Sequence, residues 1–333
     1  MRAPDFWNFP RVSALAHILS PVGAVYGAVT ALGMRSARRA AGIPVICIGN
    51  FTAGGAGKTP AALAVARMLT GMGERPFFLS RGYGGRFSKS SQPVLVDPDR
   101  HGEADAGDEP LLLARLAPVI IAADRHAGAR AAEAAGANVL VLDDGLQSAG
   151  LAHDFAFAVI DGAVGAGNGL CIPAGPLRAP LAAQWPHTDA VIVIGGGEAG
   201  ARLAIEARNF GKPVLRGRLV ADPACAATLR QRRALAFAGI GRPEKFFATL
   251  RETGAQVAAT RVFADHHAYS AADMSALRAE AQKAHLTLVT TEKDFVRLPA
   301  DSAADVTALP VTLEFENAGA LAALLKGALA RRR

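Results

Sequence analysis

The stretch Val45-Ile46-Cys47-Ile48-Gly49-Asn50-Phe51-Thr52-Ala53-Gly54-Gly55-Ala56-Gly57-Lys58-Thr59-Pro60 decides how the rest of the chain is read. Val45 to Ile48 is a short continuous apolar run, as expected of a buried strand. It breaks into a loop carrying Gly54, Gly55 and Gly57, then Lys58-Thr59 and an Ala-rich stretch with helical character. Strand, glycine loop, Lys-Thr and helix in that order make a phosphate-binding loop. A triphosphate must lie against backbone N–H groups, and glycines let the chain approach it where side chains would block the way. The helix N-terminus adds donors and a favourable dipole. The residues expected to cradle the nucleotide are Thr52, Ala53, Gly54, Gly55, Ala56, Gly57, Lys58 and Thr59. Lys58 is expected at the β- and γ-phosphates and the Thr59 hydroxyl on Mg²⁺. The strict pattern has Gly where this chain has Thr52.

Around this loop the composition sets bounds. At 333 residues the chain has room for one large or two ordinary domains. It is 51% hydrophobic but only 6% aromatic, so its cores are built from Ala, Val and Leu. A formal net charge of +7 favours anionic partners: nucleotide, phosphorylated substrate or an acidic membrane surface. Nucleic acid ranks last, because no basic stripe interleaved with aromatics is present. The cysteines Cys47, Cys171 and Cys225 lack metal or disulfide spacing and suit a reducing compartment.

Upstream of the loop, Val12 to Met34 carries no Asp, Glu, Lys or Arg and is flanked by Arg11, Arg35, Arg38 and Arg39. A cleaved signal would send a nucleotide site away from ATP, which leaves three readings: a spanning helix, a helix on the protein's own core, or a helix lying in the bilayer surface. Leu15, Ile18, Leu19, Val22, Val25, Tyr26, Val29 and Leu32 share one helical stripe, and the other face is mostly small. Pro21 is expected to interrupt the helix, and Phe6, Trp7 and Phe9 beside basic residues suggest interfacial anchors. The in-plane reading is preferred.

Downstream, apolar runs alternate with helical segments to about residue 212, which indicates a parallel doubly wound sheet. Candidate functional residues stand near the ends of the apolar runs, with loops and helix caps as the alternative reading. Arg81 follows the run at 77–79 in a glycine-rich segment, Ser80-Arg81-Gly82-Tyr83-Gly84-Gly85. Asp108 stands in Gly107-Asp108-Glu109-Pro110 at the start of a helix, where acids often serve only as caps. Asp124-Arg125 closes the run at 118–122. Asp143-Asp144 closes Val139–Leu142, where a phosphate-loop protein keeps the carboxylate that partners its metal. Arg178 ends a rigid Gly/Pro-rich segment from Gly167. The expected organisation is an N-terminal helix over 1–40, a phosphate-loop domain over 41–213, an extended linker over 214–233 and a smaller α/β domain over 234–333. Asp265-His266-His267 in the last of these is an acid/base or metal candidate, with a solvated loop as the alternative. The C-terminal helix, ending Arg331-Arg332-Arg333, is expected to be solvated.

Taken together, these segments resemble the tetraacyldisaccharide 4'-kinase family, the lipid A 4'-kinases of Gram-negative bacteria. The carriers are GNFTAGGAGKTP at 49–60, SRGYGG at 80–85, GDEP at 107–110, ADR at 123–125 and LDDGLQ at 142–147, then PAGPLR at 173–178, FAGIGRPEKFF at 237–247, DHH at 265–267 and TTEKD at 290–294. Thr52 is itself part of that pattern. Departures are Leu146 and Ser148, where the family commonly has Phe and His, and Ala179, where it often has an acid. The resemblance implies transfer of the γ-phosphate of ATP, with Mg²⁺, to the 4'-hydroxyl of a membrane-held acylated glucosamine disaccharide 1-phosphate. It implies two α/β domains, with Asp108 as base partnered by His266, Asp143 and Asp144 organising Mg²⁺, and Arg81, Arg125 and Arg178 around substrate or transferring phosphate. It places the protein on the cytoplasmic face of the inner membrane, with no obligate protein partner.

Two other classes use the same loop. A switch NTPase of the metallochaperone type should carry an Asn/Thr-Lys-x-Asp element, which Glu292-Lys293-Asp294 does not supply. A kinase for a small soluble metabolite has no use for the apolar N-terminal helix.

Overall fold

The computed structural model describes residues 4–8 and 12–332. Helix α1 (Ala14–Met34) leads to strand β1 (Val45–Gly49), which is buried at every residue, and to helix α2 (Lys58–Gly71). Strands β2 (Pro76–Ser80), β3 (Val94–Leu95), β4 (Val119–Ile121), β5 (Val139–Asp143), β6 (Phe155–Asp161), β7 (Ala190–Ile194) and β8 (Val214–Ala221) follow, with helices α3 (Asp108–Ala114), α4 (Arg125–Ala134) and α5 (Glu198–Asn209) between them. Among the described residues the larger sheet runs β13-β8-β7-β6-β1-β5-β2-β4-β3, where β13 is Val311–Phe315. β1 pairs in parallel with β5 and β6, and Ile48 stands opposite Asp143. From β1 the chain winds toward β2, and from β6 it winds the other way toward β7. The reversal puts the ligand crevice of an open α/β sheet at the carboxyl ends of β1 and its neighbours.

The chain divides into two units. The larger runs to Arg218 and resumes at Leu313; the smaller is Leu219–Thr312. In the smaller unit β9 (Arg233–Ala238), β10 (Gln256–Val262), β11 (Thr287–Thr291) and β12 (Val306–Leu309) form a parallel sheet in the order β10-β9-β11-β12. Helices α6 (Pro243–Glu252) and α7 (Ala271–Ala284) connect its strands. The doubly wound sheet with a smaller α/β unit is as expected, but the boundaries differ. The expected linker is strand β8 followed by a helix, Pro223–Leu229. Buried Leu215 and Gly217 alternate along β8 with half-buried Val214 and Arg216 and exposed Arg218, a weaker signal than a continuous apolar run.

The expected C-terminal domain also loses its last segment. Helix α8 (Ala318–Ala330) belongs to the larger unit, where it packs against α2 and buries Leu321, Leu325 and Leu329. Of its terminal arginines, Arg331 is exposed as expected and Arg332 is half-buried and engaged. Arg332 Nε donates to Asp154 Oδ1 at 2.8 Å, and the Arg331 guanidinium lies over the Phe155 ring. Arg333 lies outside the described residues.

Helix α1 turns its small face inward. Ala16, Gly23 and Gly27 are buried, and a Cβ at Gly23 or Gly27 would stand 2.6 or 2.7 Å from Cys171 O or Cys171 Sγ. The larger residues point out: Ile18 is 74% exposed, Val25 66%, and Val29 and Leu32 64% each. Pro21 does not interrupt the helix. The residue four places before it, His17, loses a backbone donor, and the Ser20 hydroxyl supplies one to His17 O at 2.8 Å. Trp7 is not an interfacial anchor: it is buried, and its Nε1 donates to Pro173 O at 2.9 Å. Phe6 is half-buried, and Phe9 and Arg11 lie outside the described residues.

Candidate active site

In the larger unit the glycine loop leaves β1 at Gly49 and enters α2 at Lys58. Gly54 and Gly57 have φ of 107° and 92°, in the left-handed region that glycine adopts freely, and Gly57 caps the N-terminus of α2. The loop is tied down from outside. Ala53 N donates to Pro176 O at 2.7 Å, Arg178 N to Phe51 O at 3.0 Å and Arg178 Nε to Thr52 O at 3.2 Å. That is the structural use of the Gly/Pro-rich segment: it braces Thr52 and Ala53 from the side. Thr59 lies in the first turn of α2.

Charged side chains converge beside the loop. Arg178 Nη1 lies 2.9 Å from both Asp144 carboxylate oxygens, and Lys58 Nζ lies 3.8 Å from Asp144 Oδ1. Asp144 has φ of 51°, a strained conformation of about 1–2 kcal/mol for a residue with a Cβ. Its N–H donates to Ile48 O at 2.9 Å, which ties the turn to β1. Burial would raise the Asp144 carboxyl, but Lys58 and Arg178 outweigh it and hold it below the ordinary range. Asp143 behaves in the opposite way. It is 3% exposed and accepts from Ser80 Oγ at 3.3 Å. Burial, helped by the charges of Glu109 and Asp144 and opposed by Lys58 and Arg125, pushes it up to about 7. Adjacent carboxylates of unlike proton affinity therefore sit at the end of β5.

Asp108 is buried at the start of α3, where its Oδ1 accepts from Glu109 N at 2.8 Å. Arg81 is exposed. Arg125 departs from the expectation of a group displayed to substrate: it is 7% exposed, and its Nη1 donates to Leu79 O at 3.3 Å. The charges of Asp143 and Asp144 act on it there. Asn50 went unrecognised in the sequence. Fully buried, it donates from Nδ2 to Thr52 O and accepts from Lys58 Nζ at 3.4 Å, so it aims the lysine. Its position directly after the buried strand is the available signal.

Among the described residues no three His, Cys, Asp or Glu side chains form a group able to hold a metal ion. Two carboxylates and the Thr59 hydroxyl leave the other positions to water and phosphate oxygens, which is the donor set Mg²⁺ takes when it arrives with a nucleotide. The residues fit that ion and do not fit a resident zinc.

In the smaller unit His266 follows β10 with φ of 57°, and its N–H donates to Gly239 O at 3.0 Å. His267 is engaged elsewhere. Its Nε2 lies 3.2 Å from Asp273 Oδ2, and its ring stacks on Phe263 with centroids 4.8 Å apart. The TTEKD segment ends β11 and opens a short helix whose Asp294 is fully buried.

Against known proteins, residues 15–330 match the family model described as LpxK, tetraacyldisaccharide-1-P 4'-kinase. A tetraacyldisaccharide 4'-kinase of Methylobacterium nodulans is 56% identical over 330 residues, covering 99% of this chain and 96% of that one. The enzyme of the same name from Rhodopseudomonas palustris strain BisB18 is 53% identical over 326 residues, covering 96% and 94%. In structure the chain is similar to the apo form of LpxK from Aquifex aeolicus in complex with ATP. The TM-score is 0.72 at 25% identity, covering 95% of this chain and 99% of that one. The buried strand, the braced glycine loop and the paired aspartates thus stand in a chain that belongs to the tetraacyldisaccharide 4'-kinase family.

Proposed function

We propose a division of labour by which these residues perform the family's reaction, ATP-dependent phosphorylation of the 4'-hydroxyl of tetraacyldisaccharide 1-phosphate in lipid A biosynthesis. The observation that carries it is the meeting of Lys58 and Arg178 on Asp144 beside the glycine loop. Thr52 to Thr59 hold the triphosphate, with backbone N–H groups and the start of α2 turned to its oxygens. Lys58 leaves Asp144 for the γ-phosphate as the nucleotide brings its own negative charge. Arg178 stays between Asp144 and the loop and neutralises charge that develops on the transferring group. Arg81, exposed, meets the substrate phosphate, and buried Arg125 acts as counter-charge to Asp143. Thr59 and the Asp143–Asp144 pair would hold Mg²⁺, which would supply Lewis-acid stabilisation to the transferring phosphoryl group.

Asp108 takes the proton of the acceptor hydroxyl. His266 is the partner that the family resemblance gives this base. Positioning and charge neutralisation then account for most of the acceleration.

The outward apolar stripe of α1 lies in the cytoplasmic surface of the inner membrane, where the acylated acceptor resides. Exposed Ile18, Val22, Val25, Val29 and Leu32 on a helix whose opposite face is seated on its own domain support this reading.

The test is transfer of labelled γ-phosphate from ATP to a tetraacylated disaccharide 1-phosphate in detergent micelles, beside a soluble sugar and a control without acceptor. Mg²⁺-dependent label in the lipid alone is the expected result. Equal release of free phosphate in every tube would overturn the kinase reading in favour of a switch NTPase. For α1, replacing Val25 and Val29 with Ser is expected to release the protein from anionic vesicles, read by flotation, with the thermal midpoint unchanged.

A further inference from the structure

The smaller unit contains a buried network that the phosphate chemistry does not use, and it ends on His266. Gly239 is its hub. The Gly239 N–H donates to Asp294 Oδ1 at 2.9 Å, and Gly239 O accepts both the His266 N–H at 3.0 Å and Arg297 Nη1 at 2.9 Å. Asp294 also accepts from Tyr269 Oη at 3.0 Å, Thr291 Oγ1 at 2.7 Å and Arg297 Nη1 at 3.1 Å. The Arg297 side chain is 1% exposed and that of Asp294 is fully buried. From this frame the second amino group of Arg297, Nη2, reaches to 3.4 Å from His266 Nδ1.

The chemistry of that last contact is one-sided. A guanidinium has only donors, so Nδ1 must accept and carries no proton. A neutral ring then keeps its proton on Nε2, the nitrogen that lies 3.9 Å from Asp265 Oδ1. We propose that Arg297 is a positioning residue for the kinase reaction, fixing His266 as the tautomer with its proton on Nε2. A ring in that state donates to a carboxylate base and orients it without adding a charge. The left-handed backbone at His266 serves the same end, because it brings the His266 N–H and Arg297 onto one carbonyl, Gly239 O. This inference rests on the role given above to His266.

Arg297→Lys preserves the charge beside Asp294 but cannot serve Asp294, Gly239 O and Nδ1 together, because a single ammonium lacks the planar fork of arginine. ¹⁵N-histidine spectra of the full-length protein, with the His266 ring assigned by its loss in H266A, read the tautomer directly. The expected result is Nε2–H in the wild type and a mixture of tautomers in R297K. Turnover is expected to fall about tenfold in R297K, part of what a well-placed acid/base pair contributes, with KM for ATP and acceptor within about twofold. In the H266A background the same substitution should cost nothing further, since residues acting through one another are not additive. Arg297→Met, which removes the charge, should behave alike if it folds. A wild-type ring protonated on Nδ1, or an R297K loss of equal size with and without His266, would overturn the proposal. Normal turnover of H266A alone would overturn the role of His266, and the ring spectrum of R297K would still decide whether Arg297 holds the tautomer.

Discussion

Asp144 and His266 both stand in left-handed backbone in the loop that follows a strand, and they are held in opposite ways. Asp144 is held by charge. Arg178 and Lys58 converge on its carboxylate, while its neighbour Asp143 is protonated more readily than an ordinary carboxyl. Such contacts exchange partners when a polyphosphate and a cation arrive, because what they lose in one pairing they regain in another. His266 is held by a closed set of hydrogen bonds through Gly239, Asp294 and Arg297, in which every group named already has its partner. The first arrangement can be rewired by ligand. The second keeps one ring in one state.

That contrast is most exposed at Lys58. Lys58→Ala is expected to cut kcat/KM in the lipid phosphorylation assay by about 10²–10³-fold, the scale of a lost preorganised charge donor, and to leave the thermal midpoint unchanged. A comparable loss of stability would mean that the larger unit's charges are as structural as the smaller unit's network. Asp144→Asn sharpens the point. With its counter-charge gone, Lys58 and Arg178 should bind ATP more tightly in EDTA, by about tenfold. In Mg²⁺ the same variant should bind no tighter than wild type, and calorimetric titration of ATP under both conditions reads the difference.

Gly239→Ala strikes the other side of the comparison. Its Cβ would stand 2.9 Å from Ala264 O, 3.1 Å from His267 Cβ and 3.2 Å from Asp294 Oδ1. Overpacking a closed network is expected to cost about 1–3 kcal/mol in urea unfolding, with no gain in ATP affinity.

The smallest effect follows pH. The Asp143 carboxyl is raised to about 7 in the folded chain, so the stability it lends is fully present below the ordinary carboxylate pKa. That contribution is lost as pH rises through about 7. The metal-free thermal midpoint should therefore drop from about pH 4 to about pH 7 and level off by about pH 8, and Asp143→Asn should remove that part of the slope. Mg²⁺ with ATP should displace the proton, so that below about pH 7 binding releases close to one proton and above about pH 8 none. Calorimetry in buffers of different ionisation enthalpy measures the release.

Much of the larger unit was legible because β1, β2, β5, β6 and β7 are buried on both faces and write themselves as apolar runs. β8 and β12 were not, since half-buried strands interrupted by Gly, Arg or Thr lack that signal. Trp7 was misplaced for a different reason. An aromatic among basic residues has the same composition whether it meets headgroups or a carbonyl of its own protein, and only Pro173, 166 residues away, distinguishes them. The phosphate loop announces itself because its chemistry is local in the chain. The support of His266 does not, because Gly239, His266 and Asp294–Arg297 meet only through three separate segments of the smaller unit.

The smaller unit is spliced into the larger one: the chain leaves at Arg218 and returns at Leu313. Strand β13 and helix α8, which lies on the nucleotide-loop helix, are therefore made only after the whole smaller unit. During synthesis β8 lacks its β13 neighbour, and is an open sheet edge, until the smaller unit has been made. The sheet that carries the phosphate loop is thus completed by residues that follow the entire smaller unit in the chain. Emergence of the phosphate loop alone therefore does not make the larger unit whole.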